Sequence, residues 1–532
     1  MILLLNVALG ACFLAFAVAR TLRYMLYFQQ DEYDGKRFLH WIAEKRVFDM
    51  RLSAVLLALG VLAFVPVELA SEGTKVLAGA ALLLFAFLDR QAGTTAKKKL
   101  VLTARVKRIL MVATVLQVVL AIAAVLLGAH PLLWLLLVQL IPPVLVGAKM
   151  LLDPQEKRVQ ARFRAEAERK LAAVDPKIVA ITGSFGKTSV KHILGHVLGL
   201  TSNTVYTPGS VNTVMGIVRV IREKLTDDTQ NFIVEMGAYG PGSINRLCHL
   251  TPPDFGIITA LGAAHYERFK TLDSVARAKF ELAEHTLARG GRVAIAEQVL
   301  SQPYAAAFVE AHREQFIIVG EGENCDVRIT ESAQTPRGTR VTLVSKNAAP
   351  LTLDVPLLGP AHAKNIALAF ASAEALGVPH EAIALALRTT PPITHRLEIK
   401  TDASGATLID DAYNSNPDGF SAALDVLDML GKDRGGRRIL VTPGMVELGA
   451  RHDEAHTEVG SYAAGRADVV LAVAPQRIPT FLSALRRAGG PEVREVKSFT
   501  EARSWLAANL QTSDVLLIEN DLPDMYEAVP RL

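Results

Sequence analysis

The sequence predicts a multi-domain chain, an α-helical transmembrane domain at the N-terminus followed by two α/β domains. Long apolar runs almost free of charge crowd into the first 150 residues. Strand-like runs alternate with helical stretches from Lys177 onward, and Pro391-Pro392 punctuates the chain before a second alternation of the same kind. At 532 residues the chain is too long for one core and suits about three units.

The apolar runs are Ile2 to Val18, Ala54 to Val67, Val76 to Leu88, Ile109 to Leu127 and Leu132 to Val146, and they raise the mean hydropathy to +0.27. Runs near 20 residues suit spanning helices, the second and third being short for that purpose, so about five spans are expected. The first run lacks the basic segment that would precede a signal peptide. Basic residues concentrate between the first and second runs (Arg20, Arg23, Lys36, Arg37, Lys45, Arg46, Arg51) and between the third and fourth (Arg90, Lys97 to Lys99, Arg105, Lys107, Arg108). The positive-inside bias makes those loops cytoplasmic, so the N-terminus faces out and an odd number of spans delivers the remainder to the cytoplasm. The net charge of +4 resides in this juxtamembrane base, which faces anionic lipid headgroups and not nucleic acid. Cys12, Cys248 and Cys325 are scattered and build no disulfide framework or zinc ribbon.

Residues 1–152 therefore form the transmembrane domain, and 153–176, rich in Arg, Lys, Glu and Ala, a juxtamembrane helix with a solvated charged face. Residues 177–393 form a central α/β domain with strand candidates Lys177 to Thr182, Asn231 to Glu235, Phe255 to Thr259, Arg292 to Ala296 and Gln315 to Val319. Alternation with helices argues a mostly parallel sheet, and Asp326 to Pro356 reads as an antiparallel excursion. Residues 394–532 form the second α/β domain, with strands at Thr407 to Asp410, Arg438 to Thr442, Asp468 to Val473 and Asp514 to Glu519.

The first central strand breaks into Thr182-Gly183-Ser184-Phe185-Gly186-Lys187-Thr188-Ser189, followed by a helical stretch. Glycines let backbone N–H groups converge on an anion, and the helix N-terminus adds positive potential. Lys187 reaches phosphates and the Thr188 hydroxyl suits Mg²⁺. Ile181 stands where a general P-loop has its first glycine. Glu235, at a strand end, is a plausible oxygen ligand for Mg²⁺. Taken singly, Glu235, His265 and Lys279 would be a solvated strand end, a surface histidine and a surface lysine.

The short loop resembles that of the Mur ligases, which join a carboxylate to an amine with ATP. Val234-Glu235-Met-Gly237, Ala264-His265-Tyr-Glu267, Ala278-Lys279-Phe-Glu281, Gly359-Pro-Ala-His362-Ala-Lys-Asn365 and His395-Arg396-Leu-Glu398 agree with that family's motifs. Asp410-Asp411-Ala-Tyr413-Asn414-Ser-Asn416-Pro417 and Met445-Val-Glu447-Leu-Gly449 resemble its MurF branch, which adds D-Ala-D-Ala. The resemblance runs from about Lys177 to the C-terminus.

The resemblance implies a P-loop central domain, a Rossmann-like C-terminal domain and an ATP-dependent ligase of cell-wall precursor synthesis, which the apolar runs would anchor at the bacterial inner membrane. It implies an acyl phosphate formed by attack of the carboxylate on ATP and displaced by the amine. Gly183, Ser184, Gly186, Lys187, Thr188 and Ser189 would hold ATP with Asn365, Arg396 and Asp411. Thr188, Glu235 and His265 would hold Mg²⁺ at two sites, and Lys279 would be carbamylated. Asn212, Tyr413, Asn414 and Asn416 would face an amino-acid or dipeptide amine and a UDP- or lipid-linked carboxylate.

The pattern departs where the soluble UDP-binding domain is replaced by spans, and where the family's late Lys-Gly-Ser reads Glu519-Asn520-Asp521. An amidating enzyme on a lipid-linked substrate is the second reading, although the MurT kind carries a four-cysteine ribbon this chain cannot build. A membrane transporter or scaffold with a retired ligase domain is the third, and few ionisable residues within the apolar runs mark a transport path.

Overall fold

The computed structural model describes residues 2–520 except 32, 45–46, 66–67, 95–99, 263–268, 270, 347–348, 414 and 447. The described chain divides into two compact units, one reaching Ala161 and the other beginning at Arg162.

The first unit is helical. Its segments are Ile2–Gln30, Gly35–Glu44, Arg51–Leu62, Glu68–Thr94, Ala104–Leu126, Pro131–Gln139 and the opening turns of Ile141–Val174. Ile2 to Val18 and Val76 to Leu88 fall within single helices, whereas Ala54 to Val67 outruns its helix at Leu62, Ile109 to Leu127 ends one residue beyond its helix, and Leu132 to Val146 is broken at Leu140. Ile2–Gln30 and Ala104–Leu126 are long and apolar enough to cross a membrane. Pro131–Gln139 and Ile141–Val174, bent by 52°, make a third candidate if counted as one span, and Arg51–Leu62 is a shorter apolar helix. The bend falls where Pro142 and Pro143 deny donors to the preceding turn. Ile141–Val174 is continuous, so the charged stretch expected as a separate juxtamembrane helix extends the last apolar one. Thr103 caps Ala104–Leu126 by accepting from Val106 N–H, and Pro131 opens its helix at a first-turn position that needs no N–H.

Phe13, Phe16, Phe28, Trp134 and Leu145 fill the interior of this unit, with Val115, Val119, Ile122 and Leu126 exposed on its outside. Inside lies an ionic cluster: Arg20 pairs with Asp49 (2.7 Å) and with Asp89, which also receives Arg23 (2.7 Å). Gln117 donates to Thr21 Oγ1 at 2.8 Å beside it.

The second unit holds two sheets. The larger contains β1 (Lys177–Thr182), β2 (Thr204–Tyr206), β3 (Asn231–Glu235), β4 (Phe255–Ile258), β5 (Arg292–Ala296), β6 (Phe316–Gly320), β7 (Val327–Thr335), β8 (Gly338–Ser345) and β9 (Leu351–Val355). Its order is β2-β3-β1-β4-β5-β6-β7-β8-β9, parallel as far as β7 and antiparallel through β8 and β9. Val179, Ile181, Ile233, Val234, Ile257 and Ile295 are wholly buried, as strands covered by helices on both faces require. The smaller sheet contains β10 (Glu398–Thr401), β11 (Thr407–Asp411), β12 (Arg438–Thr442), β13 (Val469–Val473), β14 (Glu492–Val496) and β15 (Val515–Glu519), ordered β10-β11-β15-β12-β13-β14. Only β10 runs antiparallel to its neighbour there. The strands absent from the sequence reading, β2, β10 and β14, are edge strands, whose short or charged sequences lack a buried apolar run.

Replacing Arg20 by Met leaves Asp49 and Asp89 without their shared buried cation. We expect a loss of about 3–5 kcal/mol in the helical unit, read as a lowered thermal midpoint in detergent. An unchanged midpoint would show that the cluster is hydrated.

Candidate active site

β1 lies between β3 and β4, and the chain passes from one side of it to the other between β3 and β4, so the C-terminal end of β1 is a switch point where α/β sheets open a crevice. The loop there is built on two glycines in left-handed backbone, Gly183 (φ 154°) and Gly186 (φ 82°). A side chain at Gly183 would lie 2.0 Å from Thr259 Oγ1, and one at Gly186 would lie 2.7 Å from Asn365 Oδ1. Gly186 caps the helix Lys187–Gly199 without any side-chain acceptor, leaving the first N–H groups directed at the crevice. Ser184 braces the loop through bonds with Gly262 N and O (3.0 and 3.1 Å), and Ser189 is buried.

Lys187 donates to the carbonyls of Gly183 (2.7 Å) and Ser184 (3.3 Å). Burial pushes its pKa down to about 8 against the pull of Glu235, with Arg396 and Lys191 deepening the depression. Thr188 Oγ1 donates to Glu235 Oε2 at 3.0 Å. Lys191, one helical turn beyond Lys187, forms a buried ion pair with the same Oε2 (2.8 Å) and also binds the Gly209 carbonyl. Asn212 Nδ2 donates to Glu235 Oε1 (3.1 Å) and its own Oδ1 accepts from Tyr239 (2.8 Å), so Asn212 is tied to the carboxylate. Burial alone would raise Glu235; Lys191 overrides it, helped by Lys187 and Asn212, and holds the carboxyl below its ordinary range.

Lys279, on the helix Leu272–Ala288, is 4% exposed and forms no hydrogen bond or ion pair among the described residues. Burial, with Lys187 adding repulsion, drives its pKa well below that of a free lysine. Glu281, from the same motif, serves the fold, because its carboxylate accepts from Gly242 N and Asn245 N at the start of the helix Ser243–Leu250. Asn365 is buried in the helix Ala361–Ala375 beside Gly186, and His362 on that helix is pushed down to about 4 by burial, then by Arg396 and His192.

The second sheet contributes Arg396, whose Nη2 donates to Thr188 Oγ1 at 3.3 Å and whose guanidinium lies over Tyr413 at 4.8 Å. His395 (φ 59°) and Leu397 (φ 50°) flank it in left-handed backbone, a strained turn for side-chain-bearing residues. Two aspartates fix that turn: Asp410 bonds His395 Nδ1 (2.9 Å) and Asp411 Oδ1 accepts from Leu397 N (3.2 Å). His395, Glu398 and Asp410 could also group around a cation, but the Lys400 ammonium already lies 2.8 Å from Glu398 and 2.7 Å from Asp410. Asn416 caps the helix Pro417–Arg434 by accepting from Gly419 N (3.0 Å), and Tyr413 is half exposed.

The structure thus gathers the glycine loop, Asn212, Glu235, Asn365 and Arg396 into one contact network, with Lys279 within electrostatic reach of Lys187 and Tyr413 joined through Arg396. His265, Asn414 and Glu447 lie outside the described residues. Lys191 is a site residue that sequence reasoning does not single out; its only signal there is its spacing of one turn from Lys187. The donor set suits a polyphosphate with Mg²⁺, since a bare helix N-terminus, a half-buried lysine bonded among the described residues to carbonyls and a hydroxyl–carboxylate pair meet in one place.

Lys187→Ala removes the charge-assisted bond to such a polyphosphate. At about 1.5–3 kcal/mol, nucleotide affinity measured by fluorescence titration should fall about 10- to 100-fold, with far-ultraviolet circular dichroism unchanged. Wild-type affinity would refute the cradle.

Comparison with known proteins agrees with this geometry. A model described as "Mur ligase middle domain" matches residues 181–373, and one described as "Mur ligase, glutamate ligase domain" matches 395–519. The UDP-N-acetylmuramoyl-tripeptide--D-alanyl-D-alanine ligase of Escherichia coli (strain K12) is 32% identical over 304 residues, 57% of this chain and 66% of that protein. The protein of the same name from Bacillus subtilis (strain 168) is 29% identical, over 56% of this chain and 62% of its own. The chain therefore spans just under two thirds of the length of these curated relatives. A crystal structure of MurF from Acinetobacter baumannii superposes with a TM-score of 0.58 at 27% identity, covering 68% of this chain and 77% of that one. The Thermotoga maritima MurF ligase in complex with ADP, at 23% identity and TM-score 0.56 over 68% and 80% of the two chains, shares the fold.

Proposed function

The chain belongs to the Mur ligase family, and on that premise we propose that it is an ATP-dependent ligase of the MurF type, joining a peptide carboxylate to the amine of D-alanyl-D-alanine or a similar dipeptide in peptidoglycan precursor synthesis. The observation that carries this reading is the buried network around Glu235, in which the Thr188 hydroxyl, the Lys191 ammonium and the Asn212 amide converge on one carboxylate at the mouth of the glycine loop.

ATP, when bound, supplies the phosphoryl group that turns a carboxylate oxygen into a leaving group. The chain's own residues do the rest by orientation and charge. Lys187 and the loop amides would hold the polyphosphate, Thr188 and Glu235 would hold Mg²⁺ with His265 at a second position, and Asn365 would lie beside the base. Arg396 would bring positive charge to the phosphates from the C-terminal domain. Among the described residues Lys279 is buried with no anion bonded to it. Burial disfavours its charged form, and the neutral amine adds to CO₂, forming an N–C bond and releasing a proton to water. The resulting carbamate would place an anion beside the Mg²⁺ site.

We further infer that the helical unit crosses the bacterial inner membrane with the ligase domains in the cytoplasm. Counting the two long helices and the bent pair gives three spans, and adding Arg51–Leu62 with Glu68–Thr94 as a hairpin gives five. Both numbers are odd, so an outward N-terminus leads to a cytoplasmic ligase and the basic connections stay inside. The apolar helices also favour a second reading of the substrate, in which the carboxylate is carried on a membrane lipid and not on UDP.

Purified protein in detergent, given ATP, Mg²⁺, UDP-linked or lipid-linked muramoyl tripeptide and D-alanyl-D-alanine, should release phosphate and form the longer peptide; no product from either carrier would sink the reading. In the same assay Lys279→Ala should lose about two orders of magnitude, the range of a well-placed charge at a phosphoryl site, and a short carboxylate in solution should restore part of it. Full turnover in Lys279→Ala would remove the carbamate. Topology is tested in intact cells with an impermeant thiol reagent: a cysteine at Ala129 should react and one at Thr401 should not.

A further inference from the structure

Glu519 ends β15, and the register of β11 against β15 sets Asp411 directly opposite it. Two carboxyl groups therefore meet at the C-terminal edge of the smaller sheet. Glu519 is wholly buried. Ser415 Oγ donates to its Oε1 at 2.6 Å, whereas its Oε2 meets no donor among the described residues. Two bare carboxylates cannot share such a position, because their repulsion adds to the cost of burial, and one proton between them converts that repulsion into a hydrogen bond.

The surroundings fix the proton to this pair. Asp410, the next residue, is compensated by His395 and Lys400. Arg396 favours the ionised form of Asp411 and Asp410 opposes it, yet burial still lifts Asp411 to about 6. Among the described residues Glu519 faces no charged group except Asp411, and burial followed by that carboxyl raises it well above the ordinary range.

The pair also has mechanical reach. Ser415, held by Glu519, lies two residues from Tyr413, which stacks on Arg396, which in turn donates to Thr188 of the glycine loop. Asp411 separately holds the backbone N–H of Leu397, in the strained turn beside Arg396. We propose that Glu519 is a positioning residue: it shares one proton with Asp411, and that proton keeps Tyr413 and Arg396 set against the phosphate-binding loop. Because the folded pair holds its proton more tightly than an unfolded carboxyl does, the stability of this edge is complete in acid and declines as pH rises through the pair's range.

The test uses the full chain in detergent and has two arms. Infrared difference spectra of the wild type near neutral pH should contain a protonated-carboxyl band that both Glu519→Gln and Asp411→Asn abolish. Affinity for fluorescent ADP should weaken by up to about tenfold per pH unit once the shared proton is lost, while Glu519→Gln, whose amide donates at every pH, should stay flat across the same range. The second arm rests on the nucleotide reading and the first does not. Wild type that fails to bind ADP at any pH defeats that reading and leaves the infrared arm to decide. Absence of the band in wild type, its survival in both variants, or a wild-type pH slope in Glu519→Gln would overturn the proposal. Should Glu519→Gln fail to fold, the wild-type band and its loss in Asp411→Asn decide the matter.

Discussion

A single buried carboxylate organises the centre of this molecule. Glu235 ends β3 next to β1, and its two oxygens receive donors from the start of the phosphate-loop helix, from that helix one turn later, and from the segment carrying Asn212. Remove the carboxylate and Lys191 becomes a buried, unpaired cation; remove Lys191 and the carboxylate is stranded instead. Breaking such a pair from one side costs about 3–5 kcal/mol, so the charges proposed to serve ligand binding also hold the helix, β3 and the Asn212 segment together.

Among the described residues the second sheet's domain reaches this centre through Arg396. Arg396 stands between two left-handed residues, and the strain of that turn is offset by Asp410 and Asp411 at the end of β11. The Asp-Asp pair thus has divided labour: one member holds the turn from its histidine side, the other from its leucine side. The donation of Arg396 to Thr188 ties the C-terminal domain to the glycine loop.

Much of this was legible in the sequence because it depends on local rules. The glycine loop reads directly, since only glycine tolerates the approach of Thr259 and Asn365, and β1, β3, β5 and β12 announce themselves as buried β-branched runs. What stayed hidden depends on pairing between distant segments. β2, β10 and β14 are strands only because a neighbour gives them partners. Lys191 looks like any helical lysine until Glu235 lies opposite it, and Glu519 reads as a mere departure from a motif until the β11–β15 register brings Asp411 alongside. Likewise, the bend at Leu140 and the continuous helix after it cannot be inferred from hydropathy, which sees only one apolar run fading into charge.

The ionic cluster in the helical unit bears on how the protein is made. Arg20 belongs to the first helix, yet its partner Asp89 follows 69 residues later, and Arg23 waits 66 residues for the same group. During synthesis the first helix therefore emerges well before Asp89, with Asp49 the earlier of its two countercharges. On the proposed membrane reading, the first helix is a provisional occupant whose ionic cluster is completed only when Glu68–Thr94 brings Asp89.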